Sequence, residues 1–139
     1  MSWRGIGFPD NAQVWPFAIV NVAWNGDFGC FSPELLGFAA PGHGGFTLGN
    51  VSSIGYLESA AREPFIGLWG AIRRGIEVCR RSCVYFDHCG GGAPVNKLCE
   101  NGDMASGETL YCRSMVQRPI ELVLAQAQAR LHSAAATEA

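Results

Sequence analysis

Cysteine is the residue type with the clearest chemistry in this chain, and its spacing is uneven. Cys79, Cys83 and Cys89 lie within eleven residues, Cys99 and Cys112 follow, and Cys30 stands alone upstream. Three thiols in so short a stretch converge only if the backbone wraps around a common centre. Gly90-Gly91-Gly92, directly after the third thiol, supports such wrapping, because glycine lets backbone amides approach sulfur closely. Pro94 then turns the chain away. A fourth ligand must come from further along, and Cys112 can supply it. Four thiolates suit either a structural zinc or a [4Fe–4S] cluster. A zinc ribbon usually carries two close pairs, whereas this chain has a triplet and a single, which gives the cluster a modest lead on spacing alone.

Other chemistries find less support. The Cys-x3-Cys-x2-Cys spacing of S-adenosylmethionine-cleaving clusters begins correctly at Cys79 and Cys83, but its third position is Phe86. No nucleotide-binding glycine loop of the usual spacing and no convincing Ser/His/Asp set is visible. The chain is therefore not expected to be catalytic alone, and no catalytic residue is assigned. His88 adjoins Cys89 but reads as hydrogen-bonding or exposed, His43 as a loop residue and His132 as surface tail. Cys30 reads as a small buried hydrophobe in a strand, and Cys99 as a free thiol in a loop, with replacement ligand as its alternative. Arg73, Arg74, Arg80 and Arg81 form a basic patch, read as a solvated helix end, with docking of an acidic partner or peptide leader as the alternative. Lys97 with Glu100 reads as a surface ion pair. Trp15, Trp24, Trp69 and the phenylalanines read as core, with an exposed subset marking a partner surface as the alternative.

The elements that must position the thiols follow from periodicity. Phe17 to Trp24 reads as a strand, Asn25-Gly26-Asp27 as a hairpin turn and Phe28 to Phe31 as the return. Leu35 to Phe38 makes a helical turn, Pro41 to Gly45 a glycine-rich loop, and Phe46 to Leu48 a short strand before a Gly49-Asn50 turn. Ser53 to Glu63 is helix-compatible, and Pro64 opens a fresh helix. There Phe65, Leu68, Trp69, Ile72 and Ile76 form an apolar stripe that delivers Cys79 to the helix end. An irregular cysteine-rich loop is expected from there to about Gly107. Ser106, Glu108 and Thr109 then signal a helix start. Leu110 to Leu131 is helical, with Pro119 as a kink or break and Ile120, Val123, Leu124, Ala127 and Leu131 as one apolar face. The tail from His132 to Ala139 is expected to fray.

These elements fit a chain of 139 residues with 48% hydrophobic and 16% charged content, an ordinary globular composition for one domain. The expected fold is a small α+β domain: a short antiparallel hairpin on helices, a cysteine loop, and a C-terminal helix as a brace. Net charge is −2, which gives no reason to expect nucleic acid or an anionic membrane as partner. Met1 to Gly5 lacks a basic stretch leading into an apolar run, so no signal peptide is expected. Val14 to Trp24 is too short to span a bilayer. Reduced thiols and a cytoplasmic location follow as expectations.

The stretch from Cys79-Arg-Arg-Ser-Cys83-Val-Tyr-Phe-Asp-His-Cys89-Gly-Gly-Gly-Ala-Pro-Val-Asn-Lys-Leu98 to Tyr111-Cys112-Arg113 resembles the SPASM domain of radical S-adenosylmethionine peptide maturases. It is most similar to the branch that modifies glycine-rich and related ribosomal peptides, including cyclophane-forming enzymes. Trp24-Asn-Gly-Asp-Phe28, Phe31-Ser-Pro-Glu-Leu-Leu-Gly37 and Leu48-Gly-Asn-Val51 support the resemblance, which covers roughly Val20 to Arg118. It implies a lead-in over 1–16, a SPASM-like domain over 17–118, and a C-terminal helix and tail over 119–139. It further implies that Cys79, Cys83, Cys89 and Cys112 bind one auxiliary [4Fe–4S] cluster, with zinc as the alternative occupant. Many relatives carry a further cysteine where Ala93 stands, so a second cluster is not expected. The implied partners are a radical enzyme and a ribosomal precursor peptide. A catalytic barrel needs something on the order of 200 residues, given ~250 for a complete one. Only a few dozen residues precede the domain here. The implied function is thus an accessory iron–sulfur protein, against two alternatives: a zinc-stabilised interaction module, or a vestigial fragment of a longer maturase.

Overall fold

The architecture, taken from a computed structural model, is described for residues 11–40 and 44–137, with side chains to residue 134. His43 and the first ten residues of the lead-in lie outside the described residues. Strands β1 (Val20–Val22) and β2 (Asp27–Cys30) form the expected hairpin, in register Val20 to Cys30 and Val22 to Phe28. Its turn needs Gly26, which sits at φ +88°. Asn25 and Asp27 brace the turn from both sides: Asn25 Nδ2 donates to Asp27 Oδ2 at 2.8 Å, and the Asp27 amide donates to Asn25 Oδ1 at 3.1 Å. The first strand is shorter than its apolar run, because Phe17 turns into positive φ before pairing begins.

A 3-10 turn at Pro33–Leu35 replaces the helical turn expected slightly later. Strands β3 (Ala39–Ala40) and β4 (Gly44–Gly45) form a separate antiparallel pair, so the end of the glycine-rich loop is paired backbone. Strand β5 (Gly49–Asn50) adds to β2, completing a three-stranded antiparallel sheet in the order β1-β2-β5. The pairing thus falls at the residues read as a turn. Asn50 explains the shift, since its Nδ2 donates to Asp27 Oδ1 and to the Asn25 carbonyl, both at 3.0 Å. Only Tyr56–Ser59 of the helix-compatible stretch before Pro64 is helical, as α1.

Helix α2 (Phe65–Ser82) is the organising element. Phe65, Leu68, Ile72, Ile76 and Cys79 are buried along one stripe, as the periodicity requires. Phe65 stacks against Phe17 at 5.2 Å, and Phe31 stacks on Trp69 at 5.9 Å, joining helix to hairpin. Val14, Phe28, Leu35, Phe46 and Leu48 complete this side of the core. Trp24 overturns its core reading. It is 99% exposed at the hairpin tip, in the four-residue connection 23–26 between β1 and β2.

Beyond α2 the cysteine segment is more regular than expected. It holds α3 (Phe86–Cys89) and α4 (Pro94–Asn101), each ended by a left-handed glycine, Gly90 and Gly102. Thr109 caps α5 (Leu110–Cys112), its Oγ1 accepting the Cys112 amide at 3.0 Å. A π turn over Arg113–Gln117 leads straight into α6 (Arg118–Thr137). Pro119 therefore breaks nothing: the wider turn ahead of it takes up the ring and the missing amide. Helix also continues through Thr137, where fraying was expected. Helix α6 is not a brace. Tyr85 Oη donates to Glu121 at 3.0 Å near its base, and every described side chain from Glu121 to Ala134 is exposed. The protein is an α+β domain. No helix among the described residues is long and apolar enough to cross a membrane.

Candidate functional site

The four cysteines singled out by spacing arrive on three different elements. Cys79 lies in the last turn of α2, buried, with its thiol donating to the Gly91 carbonyl at 3.9 Å. Cys83 caps that helix, its amide donating to the Cys79 carbonyl at 2.9 Å. Cys89 ends α3, and its carbonyl is held by Asn11 Nδ2 at 3.0 Å. The same Asn11 amide reaches the Gly92 carbonyl at 3.2 Å, so one side chain ties down both flanks of the glycine run. Cys112 ends α5, and Gln117 Nε2 donates to its sulfur at 3.7 Å.

Cys79, Cys89 and Cys112 line one cavity of about 40 Å³, together with Gly91 and Lys97. Cys83 does not line it but lies near enough to act on Cys112. Burial is the main force raising the Cys112 thiol above its ordinary pKa, and the Cys89, Cys83 and Cys79 charges add to it. The Gln117 hydrogen bond works the other way. Four thiols drawn from positions 79 to 112 thus share one neighbourhood. Among the described residues, no group of three or more His, Cys, Asp or Glu side chains is arranged to hold a metal ion.

Gly91 allows this packing. At φ +97° it lies against Ile76 of α2, where an added Cβ would come within 3.3 Å of the Ile76 backbone. The glycine run therefore wedges the loop onto the helix that carries Cys79. Lys97 is the residue that sequence reasoning misplaced. It is only 4% exposed, with Nζ 2.8 Å from the Gly75 carbonyl and 3.3 Å from Cys79 Sγ. Glu100, its expected partner, instead accepts the Leu110 and Tyr111 amides at the start of α5. Contacts 18 and 22 residues apart leave no periodic signal. The donor set is of a type that thiolate-ligated groups use: three thiols on one cavity with a fourth nearby, a buried lysine, and glycine backbone beside them.

The remaining cysteines are separate. Cys30 is buried in β2, and burial pushes its thiol up to about 12, in keeping with a packing role. Cys99 is exposed and unbonded on α4, a helix rather than a loop. His88 and His132 are exposed. Arg73, Arg74 and Arg81 are exposed on α2, while Arg80 lies 5.4 Å over the Phe86 ring and 3.6 Å from Glu77.

Over 109 residues the chain is 42% identical to an uncharacterized protein, sll1766, of the cyanobacterium Synechocystis; the match takes in 78% of this chain and 27% of that protein. The chain therefore spans about a quarter of the length of the curated relative it matches. No family model matches the chain. No solved structure matches it either.

Proposed function

We propose that this domain carries one auxiliary-type [4Fe–4S] cluster on Cys79, Cys83, Cys89 and Cys112 and serves a radical S-adenosylmethionine enzyme in modifying a ribosomal peptide. Three of these thiols, Cys79, Cys89 and Cys112, line one cavity with the buried Lys97, and Cys83 lies close by; that is the observation supporting the reading. The choice of a four-iron cluster over zinc, and of peptide maturation as its setting, rests on the resemblance in the cysteine–glycine block. When bound, the cluster would supply one-electron transfer or a rigid anchor for substrate. The chain's own part is to hold it: α2 fixes two thiols on the core, Asn11 and Gly91 fix the third, and Thr109 orients the fourth. The catalytic barrel would be another polypeptide or another part of a longer one. Nearly three quarters of the Synechocystis relative lies outside the match, which leaves length for such a unit.

Anaerobic purification from cells supplied with iron tests the assignment. A brown protein with about four irons and matching sulfide per chain is expected. One equivalent of zinc, with no iron taken up on anaerobic reconstitution, would establish the interaction-module reading instead. Co-purification from the native cytoplasm should recover a radical enzyme or a short precursor peptide. Recovery of neither from cells that express both would favour the vestigial fragment.

A further inference from the structure

Lysine is seldom fully buried without an anion to face it, because desolvating an ammonium is costly. Lys97 is 4% exposed, and its two hydrogen-bond partners are the Gly75 carbonyl at 2.8 Å and Cys79 Sγ at 3.3 Å. No carboxylate among the described residues forms an ion pair with it. An anionic group held by the sulfurs would lie directly against this side chain. The backbone is also shaped to admit the ammonium. A Cβ at Gly75 would come 2.2 Å from the Met104 carbonyl oxygen and 3.1 Å from Lys97 Nζ, so the glycine leaves room for both. Lys97 lines the same cavity as Cys79, Cys89 and Cys112.

We propose that Lys97 is a positioning residue that sets the reduction potential of the cluster through its hydrogen bond to the Cys79 sulfur. The inference rests on the cluster assignment above. When the cluster takes one electron from an external reductant, its charge becomes one unit more negative. A fixed ammonium at the ligand sulfur stabilises that form over the oxidised one, so its presence raises the potential. Removing it must favour the oxidised form.

The test is a stepwise dithionite titration of the full chain, followed by the electron paramagnetic resonance signal of the reduced cluster. Wild type is compared with Lys97→Met, Lys97→Gln and Lys97→Arg. At the wild-type midpoint, Lys97→Met is expected to show at least a tenfold lower ratio of reduced to oxidised cluster, equivalent to about 59 mV for one electron. Lys97→Gln, which keeps a donor without the charge, should fall between, and Lys97→Arg should stay near wild type. If Lys97→Met does not assemble, Lys97→Gln makes the same comparison. Equal midpoints in wild type and the neutral variants, at equal iron content, overturn the role of Lys97 and leave the cluster standing. A wild-type protein without iron overturns the assignment itself, before any variant is compared.

Discussion

At Cys112, burial and three neighbouring thiols oppose ionisation, so bare thiolates would repel one another there. A bound cationic centre removes that penalty and draws the sulfurs in. Replacing Cys79, Cys83, Cys89 or Cys112 by alanine should each remove most of the iron found in wild type. Cys30→Ala and Cys99→Ala should keep it, and iron and sulfide assays on all six variants check this. Asp27 offers a test of a different kind. Hydrogen bonds from Asn50 and then Asn25 hold its carboxyl below the ordinary value of 3.8. A depressed carboxylate contributes stability above the unfolded value, and that contribution is lost as pH falls through the folded one. The stability gap between wild type and Asp27→Asn, measured by urea unfolding, should therefore be full near neutrality and shrink below pH 3.8. The candidate ligands were legible because chemistry and spacing both mark cysteine. Lys97 was not: its distance from Glu100 suits a surface pair on a helix, and only the tertiary fold brings it to Cys79.

Helix α2 joins the aromatic core to the thiols, and Gly75, the last of its three glycines, marks where that link is tightest. A Cβ at Gly75 would lie 2.2 Å from the Met104 carbonyl oxygen and 3.2 Å from that of Ser106. Alanine favours a helix over glycine by roughly 1 kcal/mol, whereas overpacking costs typically ~1–3 kcal/mol and more where backbone must move. Gly75→Ala is thus expected to destabilise the domain by about 2 kcal/mol, seen as a lower midpoint in urea. Thr109→Ala removes the cap of α5 and should cost about 1 kcal/mol in the same assay. Helix α2 was readable from its stripe, and the hairpin from Asn25-Gly26-Asp27. Helices α3 and α4 were hidden because each is short and bounded by glycines that read as loop. Pro119 misled for a related reason, since a π turn is a local exception that single residues do not announce.

Over the whole molecule, one buried core runs from the sheet along α2 to Phe86, Leu98 and Met104, and the thiol cavity lies at its Cys79 end. If the proposed cluster is bound, removing it should accordingly raise amide hydrogen exchange most between residues 79 and 112. Strands β1 and β2 and the Phe65 end of α2 should change little. Uniform loosening would contradict this division. The bare face of α6 was legible as an apolar stripe, yet its lack of cover was not, because periodicity tells which side is apolar and not whether anything meets it. The close approach at Gly75 also has an evolutionary consequence. A side chain there would meet the Met104 carbonyl oxygen at 2.2 Å before it met Lys97 Nζ at 3.1 Å, so the backbone itself closes the position to anything larger than glycine. A collection of homologous sequences should accordingly keep glycine at position 75 whatever stands at position 97.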